Sequence, residues 1–187
     1  NTNPVITINE YNYNNYLTIS SAGKVTLKQT YFVPGKNYTV NFTYLPTEAK
    51  QLAINNFYNN KYKNDTLTIS GTINNINLQL SKGNLKLLNL EDIVLNYDNN
   101  YTGDYVNIPS MIGINHVTIN VDTQRNSSVN VLTVGANSIV ENCIINLNAS
   151  GNTPTIALNI SGENTTARNC IINANITSNR TSSPLYV

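Results

Sequence analysis

The chain has 187 residues, 37 of them Asn, with 11 Lys and Arg against 10 Asp and Glu and a net charge of +1. Charged residues make up only 11%, against ~25% in an ordinary soluble domain. That balance excludes nucleic-acid binding by phosphate neutralisation, and no apolar run approaches the ~18 residues a membrane helix needs, so no membrane insertion is expected.

Leu, Ile, Val and Phe together number 52, enough for one sizeable core or two small ones. The chain does not begin with Met and carries no signal-peptide pattern, so it reads as a processed or excised piece. Its polar surface must be built from amides and hydroxyls, an unusual composition for a cytosolic enzyme.

In chain order, residues 1–46 read as short strands at Val5–Ile8, Leu17–Ile19, Lys24–Leu27 and Asn37–Tyr44. Turn signals at Ser21-Ala22-Gly23 and Pro34-Gly35 separate them. Eight tyrosines crowd the first third beside Asn: Tyr11, Tyr13, Tyr16, Tyr31, Tyr38, Tyr44, Tyr58 and Tyr62. Tyr with Asn is good contact chemistry for sugars and protein surfaces, but the plainer reading, Tyr in place of Phe on half-exposed strands, is favoured. After Pro46, residues 47–58 carry Leu52, Ala53 and Phe57 at helical spacing and predict one α-helix. A helix there would cap the open end of the stack that follows.

That stack is an internal repeat. Residues 142–148 read NCIINLN and residues 169–175 read NCIINAN, 27 residues apart. Val117–Val121 matches Cys143–Leu147 at a step of 26, and Ile93–Tyr97 matches Val117–Val121 at 24. A looser copy, Ile76–Leu80, lies 17 residues before Ile93. A second register moves in step: Val106 and Ile108, then Leu132 and Val134, Leu158 and Ile160, and Leu185 and Val187. Each unit alternates with period 2, the mark of a strand with one face buried. About 26 residues at ~3.3 Å each give a contour near ~86 Å, suited to one coil of a parallel β-solenoid. Leucine-rich repeats need a Leu-x-x-Leu-x-Leu pattern that is missing here, and propeller blades are longer.

The expected fold is therefore all-β: a parallel β-helix of ~24–27 residues per coil. Residues 1–63 are expected to form an N-terminal strand segment and capping helix, and residues 64–187 the coils. Pro184-Leu185-Tyr186-Val187 aligns with Leu158–Ile160, so the sequence is expected to stop inside a coil of a longer solenoid. Asn suits such a fold, because it tolerates left-handed turns and can stack in hydrogen-bonded ladders. Asn142 and Asn169, Asn146 and Asn173, and Asn148 and Asn175 occupy equivalent positions.

Ten Asn-x-Ser/Thr sequons make Asn37, Asn41, Asn64, Asn100, Asn126, Asn148, Asn159, Asn164, Asn175 and Asn179 candidate N-glycosylation sites. A chain so rich in Asn, Ser and Thr also produces sequons by chance. Cys143 and Cys170 are expected to point inward one coil apart, as stacked reduced thiols and not as a disulfide, because their side-chain vectors run parallel.

Two segments carry a family resemblance: Val5-Ile6-Thr7-Ile8-Asn9-Glu10 with Asn12-Tyr13 and Tyr16, and Asn64-Asp65-Thr66-Leu67-Thr68-Ile69-Ser70-Gly71-Thr72. With the NCIIN coils they resemble the large Asn- and Thr-rich adhesin-like surface proteins of methanogenic archaea. The resemblance implies secretion to the cell surface, a right-handed parallel β-helix of the pectin-lyase-like type, and adhesion to a host or microbial cell-surface protein or glycan. It implies no catalytic residue.

The residues themselves leave an enzyme reading to weigh. By the coil offsets Asp92 stacks beside His116 and Glu141 beside Asn115, a candidate acid/base or metal site. The bland alternative is a column of turn residues with unusual backbone angles, and it is preferred. Asp98 beside Asp122 offers oxygen ligands to calcium, though two carboxylates are few. No cofactor, catalytic residue or metal site is assigned. The expectation is a non-enzymatic extracellular adhesin or stalk module, with a β-helix polysaccharide lyase or glycoside hydrolase and a structural filament or wall-layer subunit as alternatives.

Overall fold

The structure, a computed structural model, describes residues 6–8, 11–12, 14–55 and 57–187, the side chains of residues 11 and 12 excepted. Val5, Asn9, Glu10, Tyr13 and Asn56, and the side chain of Tyr11, on which parts of the sequence reading fall, lie outside the described residues. The chain is all-β, 52% strand, and winds into a parallel β-solenoid of about 6 turns.

The first strands are β1 (Ile6–Ile8), β2 (Tyr11–Asn12), β3 (Leu17–Ile19), β4 (Lys24–Leu27), β5 (Tyr38–Phe42) and β6 (Gln51–Ile54). Then come β7 (Thr66–Asn74), β8 (Asn77–Leu80), β9 (Leu87–Tyr97), β10 (Val106–Ile108), β11 (Ile112–Asn115), β12 (Thr118–Thr123) and β13 (Val129–Val134). The last are β14 (Ile139–Glu141), β15 (Ile144–Ser150), β16 (Thr155–Ile160), β17 (Thr166–Arg168), β18 (Ile171–Thr177) and β19 (Ser183–Tyr186).

Three faces arise from their pairing. On one, β4, β6 and β8 run parallel, and β10, β13, β16 and β19 form a separate parallel sheet beyond them. The second stacks the N-terminal halves of β7 and β9 with β11, β14 and β17. The third stacks their C-terminal halves with β12, β15 and β18. At the N-terminal end β5 joins β7 in parallel, β1 lies antiparallel to β5, and β2 antiparallel to β1.

Period-2 alternation sends every second side chain inward, and like residues meet rung over rung. Ile69, Leu90, Ile114 and Val140 stack on the second face, and Ile73, Leu95, Ile119 and Ile145 on the third, all of them buried. Each such side chain contributes roughly 1.5–3 kcal/mol on leaving water. Only one neighbouring coil covers the last rung, so Ile172 is half-buried and Leu185 exposed.

Corners between the second and third faces are made by left-handed residues. Asp92, His116, Asn142 and Asn169 have φ of 50°, 51°, 52° and 54°. A second left-handed column, Met111, Asn137 and Asn164, precedes the second face. In the earliest coil Gly71 (φ +118°) stands where β7 bends, and a Cβ there would collide with the Phe42 carbonyl.

Two expectations are corrected. Residues 47–58 hold no α-helix among the described residues; Gln51–Ile54 is a strand held between β4 and β8. Leu52, Ala53 and Ile54 are all buried there, and pairing on both edges outweighs the helical spacing of Leu52 and Phe57. The Ile76–Leu80 string belongs to a different face from Ile93–Tyr97: β8 pairs with β6, while Ile93 pairs with Gly71. Its similarity is that of one half-buried strand to another. The Val106, Leu132, Leu158 and Leu185 register pairs as the offsets require.

Candidate functional site

The most regular outer surface is the third face. Its alternation buries Leu95, Val121 and Leu147, turning the residues between them outward. One outward column is wholly Asn. Asn96 Nδ2 donates to Asn74 Oδ1 at 2.8 Å, Asn120 to Asn96 at 2.7 Å, Asn146 to Asn120 at 2.8 Å and Asn173 to Asn146 at 2.8 Å. Every amide donates toward the N-terminal end, so the ladder is a row of aligned dipoles. The steps between its members lengthen from 22 to 24, 26 and 27 residues.

Two residues further along each strand lies a second column: Asp98, Asp122, Asn148 and Asn175. Asn148 Nδ2 donates to Asp122 Oδ1 at 3.2 Å, and Asn175 Nδ2 to Asn148 Oδ1 at 3.1 Å. Asp98 accepts from Asn75 Nδ2 at 2.8 Å and from the Asn100 backbone N–H at 2.8 Å. The Asn75 amide first, and then the Asn100 N–H, hold the Asp98 carboxyl below its usual range. Between the two columns runs an open trough of ≈ 650 Å³. Its carboxylates stand at the N-terminal end and neutral amides at the other. The flanking columns repeat side-chain amides and carboxylates at one rung spacing, ~4.8 Å, while the trough between them, lined also by Tyr97, Val121, Leu147 and Ala174, is mainly apolar.

The sequence-derived acid/base candidates take another place. His116 Nδ1 and Asp92 Oδ1 approach to 3.8 Å, with both side chains more than half exposed. Both sit in the left-handed corner column, the conformation that the bland reading required. The Glu141 carboxylate is taken by Arg168 at 2.5 Å. Among the described residues no three His, Cys, Asp or Glu side chains gather closely enough to hold a metal ion.

Cys143 is buried and Cys170 half-buried, and both are free thiols. Their Sγ atoms donate to the Glu141 and Arg168 carbonyls at 3.1 and 3.3 Å. Burial pushes the Cys143 thiol up to about 11, away from nucleophilic use.

The sequons fall into distinct settings. Asn64, Asn100, Asn126 and Asn179 are exposed in turns or bends. Asn37 accepts from the Thr66 N–H at 3.0 Å and Asn164 donates to Asn137 at 3.5 Å, both at the surface. Asn41 donates to Ser70 Oγ at 2.9 Å, and the Oδ1 of half-buried Asn159 is buried. Asn148 and Asn175 belong to the trough.

The tyrosines divide between core and surface. Tyr62 is buried and donates to the Gln29 carbonyl at 2.8 Å, Tyr16 stacks on Tyr31 at 4.7 Å, and Tyr58 stands exposed. Sequence reading missed the extension of the ladder to Asn74, because the step there shrinks to 22 residues. It also missed Tyr101, Tyr105 and Arg125, which have no in-phase copies to mark them.

No protein-family model matches the sequence, and comparison with curated proteins and with solved structures finds no match. The site therefore rests on its own chemistry.

Proposed function

We propose that this chain is a non-enzymatic extracellular module of an adhesin or stalk, and that its third face touches a cell-surface glycan or protein. The observation that carries the reading is the unbroken amide ladder from Asn74 to Asn173 with the trough beside it. A rigid row of amides offers an extended partner the same hydrogen-bonding groups on every rung, at little entropic cost because each side chain is already held by its neighbours. The candidate acid, base and metal-binding groups give less support to an enzyme. Asp92 and His116 are exposed corner residues, and Glu141 is engaged by Arg168. The resemblance to archaeal adhesin-like proteins supports the same reading, with secretion and glycosylation at exposed sequons as its corollaries.

The test is a glycan array and a cell-adhesion assay run beside a depolymerisation assay on acidic polysaccharides, with and without calcium. The reading expects retention of cells or of a defined glycan class and no cleavage. Cleavage of soluble polysaccharide without adhesion would overturn it.

A further inference from the structure

Among the described residues the solenoid has one break in its sheet stacking. On the first face β8 and β10 lie side by side, with Cα atoms within 8 Å, yet no ladder of hydrogen bonds joins them. Every other neighbouring pair on that face is hydrogen-bonded. The chain enters β10 from β9 through residues 98–105. Tyr97, Tyr101 and Tyr105 cluster there with ring centroids 4.8–5.6 Å apart. Tyr101 reaches across Gly103 to donate to the Asp104 carbonyl at 2.5 Å, and a Cβ at Gly103 would meet that hydroxyl.

A pocket of ≈ 430 Å³ fills the break. From β8 it is lined by Asn77 and Gln79, from the segment before β10 by Asp104, from the connection between β12 and β13 by Arg125, and from β13 by Asn130 and Thr133. Arg125 is fixed in place. Its Nε and Nη2 donate to the Tyr101 carbonyl at 3.2 and 2.8 Å, Nη2 also to the Gly103 carbonyl at 2.5 Å, and its guanidinium lies 4.5 Å from the Tyr105 ring centroid. The remaining nitrogen, Nη1, has no acceptor among the described residues. Tyr105, part of the same wall, is 4% exposed, and its hydroxyl is buried without a hydrogen-bond partner among the described residues. A buried hydroxyl without a partner is rare in folded chains.

We infer that this break is a binding site for a single neutral sugar unit. The volume lies within the range of small-molecule sites. A peptide strand is excluded, since insertion between β8 and β10 needs a Cα separation of ~9.6 Å, twice the strand spacing. Asp104 beside Arg125 offsets the cationic charge and disfavours a phosphate or carboxylate ligand. Planar side-chain amides and the Arg125 Nη1 match the donors and acceptors of adjacent sugar hydroxyls. Leu80 and Pro109 add an apolar patch for the C–H face of a ring. The pocket shares no residue with the trough of the third face, so the site does not rest on that face's role in adhesion.

The experiment is a titration of the isotope-labelled chain with the methyl glycosides of glucose, galactose, mannose and N-acetylglucosamine, followed by amide NMR shifts. At least one glycoside is expected to give saturable shifts confined to residues 77–80, 104–107 and 128–133. The double variant Gln79→Ala/Asn130→Ala alters only outward side chains, and should weaken that binding about tenfold while the rest of the spectrum stays in place. Arg125→Lys, which loses Nη1, should weaken it further. Absence of saturable shifts there with all four glycosides would overturn the inference. So would equal affinity in the double variant, or a response to inorganic phosphate in place of the glycosides.

Discussion

Asn120 and Asn146 lie 26 residues apart, and the amide of the later residue donates to the carbonyl oxygen of the earlier one at 2.8 Å. Asn120 in turn donates to Asn96 at 2.7 Å. It is thus a middle link, with one bond given and one received.

Replacing that link tests the ladder. Asn120→Ala removes both bonds at a half-buried position and should cost about 1–3 kcal/mol in urea denaturation. Asn120→Asp keeps the shape but loses the donor, setting a carboxylate against the Asn96 Oδ1. It should cost more than Ala at neutral pH and recover part of the loss below about pH 4, where the protonated acid can donate.

The corner column predicts a different pattern. His116 has φ 51° and an exposed side chain, so its identity matters through the backbone. His116→Asn and His116→Gly should leave the unfolding midpoint nearly unchanged. His116→Val, with a branched Cβ in the left-handed region, should cost about 1–2 kcal/mol. Equal stability of all three variants would refute the corner role.

Acid should reach the third face through Asp98. Its folded-state pKa is depressed, so the stability it contributes is complete above the unfolded value of about 4 and is lost as pH falls through the folded one. Thermal unfolding between about pH 2 and 6 should show a smaller acid-side decline in Asp98→Asn than in the parent chain.

Alkali acts on Cys143 in the opposite sense. Its folded pKa is raised to about 11, so its contribution is complete below the unfolded value of about 8.5 and declines above it as the unfolded chain releases the thiol proton. A thiol reagent at mildly alkaline pH should label half-buried Cys170 first and Cys143 only as the chain opens. Simultaneous labelling would contradict the packing of Cys143.

How much of this was legible in the sequence follows from the repeat. Between residues 93 and 187 the steps vary by only a few residues, so Ile119 over Leu95 and Leu158 over Leu132 could be paired by counting. Upstream the steps shrink and shift. Tyr38 pairs with Leu67, while Gly71 pairs with Ile93 across a register irregularity. On the first face, by contrast, the steps hold at 27 and 26 residues, from Val25 to Leu52 and from Leu52 to Leu78, and residues 51–54 looked helical only through the spacing of Leu52, Ala53 and Phe57. The Asn146–Asn173 part of the ladder was visible because both residues sit inside identical strings. The pocket between β8 and β10 was invisible, because it arises where two strands fail to pair and its Arg125 and Tyr105 repeat nowhere.

The central claim is that the laddered third face makes the adhesive contact. Asn148→Arg/Asn175→Arg fills the trough with two long cations at exposed positions while sparing the Asn74–Asn173 column. Adhesion of cells to the immobilised chain, measured for parent and double variant with unfolding midpoints matched, tests the claim most directly. The account predicts at least a tenfold loss of retained cells at an unchanged midpoint, an effect of about 1.4 kcal/mol. Retention equal to that of the parent chain would contradict it.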